Sequence, residues 1–264
     1  MQQLIRTEWM KVRTYKAFWI MAGIFVVAAI GLNYIIYVLT NSIHEQTGKT
    51  AGDALLGKPF SFPDVWNTVS WLSGWLLFIP GMIIITLISN EYTFRTHRQN
   101  IIDGWTRAQF ISVKLLWVVS LSALVAVVAF ATALVFGFIA GTPFSGGIEY
   151  IGYFFLESLS YLMAALLVGV LIKRAGLAIG LYFLYIFVLK YLIVAMVNRE
   201  NTLQIGSYIP LNITDKLIPF PFIKDAVKRA IQPPPPVYVL LMGSLAYLGL
   251  FYWWMLHKFR TDDL

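Results

Sequence analysis

The chain has 264 residues, 59% of them hydrophobic and only 12% charged. A soluble domain carries roughly 45–50% apolar and about 25% charged residues, so a soluble fold is excluded and a membrane fold is expected. The absence of cysteine removes disulfide staples, thiolate nucleophiles, cysteine-ligated zinc and iron–sulfur clusters together, and the formal charge of +7 does not mark a nucleic-acid binder. The basic residues sit in short segments beside apolar runs, where they act as topology signals.

The opening stretch interleaves Leu4, Ile5, Trp9, Val12 and Phe18 with Arg6, Lys11, Arg13 and Lys16. That pattern predicts an amphipathic helix lying at the inner membrane surface. Six nearly uncharged stretches then read as spans of about 20 residues or more: 18–39, 71–88, 115–139, 151–172, 177–197 and 237–256. The first is too long for the apolar core of a signal peptide, and no small-residue cleavage site follows it.

Four non-spanning pieces complete the reading. Besides the opening helix, residues 41–70 form an outer loop punctuated by Gly and Pro, and residues 90–114 form a charged connector. Residues 198–236 form a long external stretch. Within it Phe222, Ile223, Ala226, Val227, Ala230 and Ile231 follow helical spacing, which predicts a short amphipathic helix on the outer leaflet. The two sets of three spans show no self-similarity, so inverted-repeat transporters gain no support.

Six spans put both ends on one side. That side holds 12 of the Lys and Arg residues against 7 on the other, so the positive-inside rule makes both termini cytoplasmic.

Apparent catalytic fragments fail on spacing. Gly48-Lys49-Thr50 lacks the upstream glycine and strand of a phosphate-binding loop, and His44-Glu45 is followed by Gly48 where a zinc protease needs histidine. Asp103-Gly104 is followed by no later aspartate pair, as a membrane CDP-alcohol phosphotransferase would need. The aspartates all fall outside the proposed spans, and His44, His97 and His257 fall in loops or at a span end. No reaction centre assembles from these residues.

Two charges, Glu157 and Lys190, fall well within spans, each about 9–11 Å below the outer surface. Opposite sign at matching depth predicts an intramembrane pair, either locking two helices or lining a polar route, the alternative being that Lys190 snorkels outward. Pro80-Gly81 lies midway along the second span and is a candidate hinge, since proline removes a backbone hydrogen bond.

The connector reads NEYTFRTHRQNIIDGWTRAQFISVK over residues 90–114. Its apolar anchors Ile101, Ile102, Trp105 and Phe110 alternate with Arg95, Arg98, Arg107 and Lys114. Such a segment can bind anionic lipid or present a helix to a cytoplasmic partner. Here the sequence resembles the membrane subunits of type-2 ATP-binding-cassette (ABC) transporters, the exporter-type permeases. Glu91, Thr96, Ile101-Ile102, Arg107, Phe110 and Lys114 stand in that family's order of Glu, Thr, Leu/Ile pair, Arg, aromatic and Lys. Arg95 replaces a common glycine, and Asp103-Gly104 replaces a common proline turn.

The resemblance implies an all-α permease with six spans and a coupling helix between spans two and three, and it extends to the external element between spans five and six. Glu91, Arg95, Arg98, Ile101, Ile102, Arg107, Phe110 and Lys114 would then form the coupling interface to a separate ATPase. It further implies two ATPase copies, a second permease of the same or a paralogous chain, and a path lined by the second and fifth spans. The chain itself would have no catalytic site and bind no cofactor, ATP and magnesium residing on the ATPase. The expected setting is the bacterial inner membrane, with lipids as neighbours and no nucleic acid. The rivals are an ion-coupled secondary transporter working through Glu157 and a membrane enzyme of lipid metabolism.

Overall fold

The computed structural model describes residues 2–47, 57–94, 96, 99, 102, 104–200, 205–222 and 235–261. Its regular elements are all helical: α1 (Gln2–Thr14), α2 (Lys16–Thr47), α3 (Asp64–Gly74), α4 (Phe78–Thr93), α5 (Arg107–Ile139), α6 (Glu149–Ile172), α7 (Ala175–Leu184), α8 (Lys190–Glu200), α9 (Asn212–Asp215) and α10 (Val237–Thr261). A π-helical turn, Tyr185–Leu189, joins α7 to α8, and a short 3₁₀ turn, Ile205–Tyr208, precedes α9. Helix is the economical solution here, because each apolar segment must satisfy its own backbone where water is absent.

Five described helices are long and apolar enough to cross a membrane, and the bent pair α3–α4 makes a sixth if it counts as one span. Helices extend past several proposed boundaries. The first span continues to Thr47 and the third begins at Arg107, so the first turns of α5 absorb the end of the charged connector. A capping box starts α5: Thr106 accepts from the Gln109 backbone N–H, and the Gln109 side chain returns the bond to the Thr106 N–H. The 41–70 stretch is not a plain loop either, being helical through Thr47 and again from Asp64. Phe62, just before α3, and Trp66, within it, pack with Phe144.

The second span is broken. Helices α3 and α4 meet at 45°, and the three residues between them are held by tight i→i+3 bonds such as Leu76 N–H to Ser73 O (3.0 Å) and Leu77 N–H to Gly74 O (3.2 Å). Pro80 explains the position of the break. It cannot donate to the carbonyl four residues back, and its ring crowds that carbonyl. The Leu76 carbonyl instead takes the N–H of Ile79 at 3.0 Å. The bend therefore lies a turn before the Pro80-Gly81 pair.

Helix α6 is the axis of the bundle: two-thirds of its apolar window is buried, against 17% for the peripheral helices α2 and α10. It packs on α3, α4, α5, α7 and α10. Gly81 lets α4 and α7 approach closely, since a Cβ there would overlap the Tyr182 ring. Tyr182 passes this gap and donates to the Tyr161 carbonyl of α6 at 3.0 Å, tying the second, fourth and fifth spans together.

Candidate functional site

Among the described residues two polar centres lie in this bundle, one beside the connector and one near its opposite end. At the connector, Glu91 stands on the last turns of α4 and Lys114 on the second turn of α5. Lys114 donates to Glu91 at 2.5 Å and also to Glu8 of α1. Lys11, one turn beyond Glu8, bridges the same two carboxylates at 2.7 Å and 3.1 Å. Glu8, Glu91 and Lys114 are 3%, 6% and 7% exposed. Two acids and two bases thus form an ionic knot that joins three helices, three of its members buried and Lys11 a third exposed.

Burial alone would push the Glu8 carboxyl up. The Lys114 charge and the hydrogen bonds from Lys11 and Lys114 outweigh it and hold Glu8 below the usual carboxylate value. Desolvation would likewise depress the Lys11 ammonium, but Glu91 and Glu8 together raise it. Trp9 stacks on Trp117 (5.8 Å, 3° between planes), which clamps α1 along α5.

The remaining connector residues divide. Arg107 donates to the Phe259 carbonyl of α10 at 2.8 Å, and Phe110 stacks on the Phe259 ring at 4.9 Å. Both therefore hold the last helix against the third span. Ile102 points away and is 83% exposed, and Phe94, which closes α4, is 73% exposed. Arg95, Arg98 and Ile101 lie outside the described residues, as does most of the 222–231 helix expected between the fifth and sixth spans.

The second centre is a cavity of about 430 Å³ at the other end of the bundle. Glu157 and Lys190 both line it, but Lys190 does not pair with Glu157. Its ammonium contacts the carboxylate of Asp215 at the end of α9 and the Tyr161 hydroxyl at 2.7 Å. Tyr161 in turn donates to the other Asp215 oxygen at 2.9 Å. The expected pair fails because Asp215, which looks like a loop residue in the sequence, folds back on the bundle. Its segment is pinned by Asn212 to Gly206 O (2.8 Å) and by Tyr247 of α10 to Tyr208 O (2.8 Å). The π turn adds a residue to the helical repeat and rotates the remainder of the span by about 100°. Lys190 is the first residue after it.

Sequence reasoning missed four members of these centres: Lys11, read only as a polar-face residue of the opening helix, and Glu8, Asp215 and Tyr161. Glu8 had a signal: it lies four residues before Val12, an acid on the apolar face of an amphipathic helix. Asp215 and Tyr161 had none, since their meeting depends on the fold of 205–222.

Residues 4–189 match the family described as ABC-2 family transporter protein. The chain belongs to this ABC-2 family. No curated protein matches it. An ABC-2 permease is the multi-pass membrane component of an ABC transporter, without a catalytic site of its own, and the family implies an ATPase partner. For an ABC-2 permease the placement of the connector residues is informative. Glu91, Phe110 and Lys114 are committed inside the permease, so among the described candidates the exposed Ile102 and the half-buried Arg107 remain accessible from outside the bundle.

Proposed function

We propose that this ABC-2 permease converts ATP hydrolysis on a separate subunit into movement of its own spans. The working unit is exporter-type, two permeases with two ATPases, in the bacterial inner membrane with both termini cytoplasmic. ATP and magnesium bind the partner and nothing of that chemistry belongs to this chain.

The observation that supports this reading is the divided character of the connector. Phe94 and Ile102 are the most exposed large apolar side chains described, while Glu91 and Lys114 at its two ends are locked into the bundle. Exposed apolar side chains on a charged connector suit docking on a partner protein or on the lipid surface, and the ATPase that the family implies favours the first. Ends fixed by a buried ionic knot let a displacement of that surface reach α4, α5 and α1 together. An ATPase whose ATP-bound state favours one connector position thereby favours one arrangement of the spans.

The test is co-purification from native membranes. Wild-type permease is expected to bring down an ATPase, and Ile102→Glu or Phe94→Glu is expected to release it while leaving the permease inserted. Full retention by both variants would remove the connector from the interface. Arg107→Glu is a poorer probe, because Arg107 also anchors α10. The ion-coupled alternative draws on the buried Glu157, and transport that continues after ATP depletion would favour it.

A further inference from the structure

We infer that the cavity between the second, fourth and fifth spans is a binding site for a lipophilic organic monocation, with Glu157 as its counter-charge. As cargo for a transporter this cation rests on the permease reading; the site itself rests on geometry alone.

The charge arrangement in the cavity leaves one acid over. Lys190, 1% exposed, is engaged by Asp215 and by Tyr161, which itself bonds Asp215. Glu157 is 6% exposed, and its Oε2 has no hydrogen-bond partner. Lys216 also lines the cavity, but its side chain is exposed to solvent. Lys190 is thus met by Asp215, whose side chain is 23% exposed, and among the described residues the buried Glu157 is left with no ion partner. A buried carboxylate without a partner is costly, and a cation entering the cavity removes that cost.

The walls fit the same ligand. Trp71, Trp75, Phe78, Phe187, Tyr191 and Phe220 line the same cavity as Glu157, and aromatic faces attract cations as well as apolar bodies. Gly74 keeps this end of the site open, because a Cβ there would sit 3.0 Å from Glu157 Oε1. The volume lies in the ordinary range for small-molecule sites, about 300–1,000 Å³. An anion is disfavoured, since the one buried ammonium is already engaged.

The experiment measures equilibrium binding of radiolabelled tetraphenylphosphonium to the purified full-length chain in lipid nanodiscs. Tetraphenylborate, of the same shape and opposite charge, serves as control. Saturable binding of the phosphonium alone is expected. Glu157→Gln should weaken it about tenfold or more. Trp75→Leu removes a 44% exposed ring and keeps the test valid if Glu157→Gln does not fold; it should weaken binding several-fold with the melting temperature unchanged.

Equal binding of the two ions, or full affinity in Glu157→Gln or in Trp75→Leu, would overturn the assignment. Nanodiscs of phosphatidylglycerol, with and without phosphatidylethanolamine, separate the sources. Competition by the amine lipid identifies a headgroup as the native occupant, and no competition identifies a diffusible cation. Either result upholds the site. ATPase co-purification is scored separately, so loss of cation binding with the ATPase retained defeats this inference and leaves the proposed function standing.

Discussion

Lys114 is the residue on which the connector end depends. Among the described residues it is the buried cation that contacts both Glu8 and Glu91 from within the bundle, and removing one partner of a buried ion pair typically costs about 3–5 kcal/mol. Lys114→Met is therefore expected to lower stability by that order in detergent unfolding. Glu8→Gln should cost less, because Lys11 still serves Glu91. The double variant should be less destabilised than the sum of the singles; strict additivity would mean the contact carries no energy. The knot also predicts a pH response. Glu8 titrates below the usual carboxylate value, so its contribution is present above about pH 4.5 and is lost as pH falls through its lowered value. Lys11 titrates above the usual lysine value, so its contribution is present below about pH 10.5 and is lost as pH rises past that. Protection factors of the α1 amides, with the intrinsic pH dependence of exchange divided out, should accordingly fall at both extremes and be highest between them.

At the scale of elements, the bend in the second span and the close approach of the fifth are separable. Pro80→Ala restores a donor for the Leu76 carbonyl, so α3 and α4 should straighten toward one helix. Spin-label distances across the 45° bend would lengthen, and unchanged distances would show that packing, rather than proline, holds the angle. Gly81→Val should leave the bend but drive a side chain into the Tyr182 ring, an overpacking cost of about 1–3 kcal/mol read as a lower melting temperature. The fifth span carries its own irregularity. Its π turn, just ahead of Lys190, sits between the Tyr182 bond to the Tyr161 carbonyl and the Lys190 contact with Asp215, so the second and fifth spans, which line the cavity and meet at Gly81, both carry a break in regular helix.

For the whole molecule, the absence of cysteine makes topology directly measurable. Single cysteines at Arg6, Lys216 and Lys258 report on three segments without background. If α3–α4 is one span, a membrane-impermeant thiol reagent should label position 216 in intact cells, and positions 6 and 258 only after lysis. Labelling of position 6 or position 258 alone in intact cells would put the ends on opposite sides and require an odd number of spans.

What the sequence determined by itself was everything that depends on local composition: the membrane setting, the all-helical class, the approximate spans and the charged connector. Apolar length and backbone self-satisfaction settle those without reference to neighbours. The family resemblance was also legible, because Glu91, Arg107, Phe110 and Lys114 keep their order along the chain. Which charge meets which was not legible. Glu8 joins Lys114 across 106 positions, and Lys190 takes Asp215 in place of Glu157, because segments far apart in the chain are brought to the same depth only when the helices pack. In a low-dielectric interior a charge must find its opposite, and the identity of that opposite is fixed by tertiary structure alone.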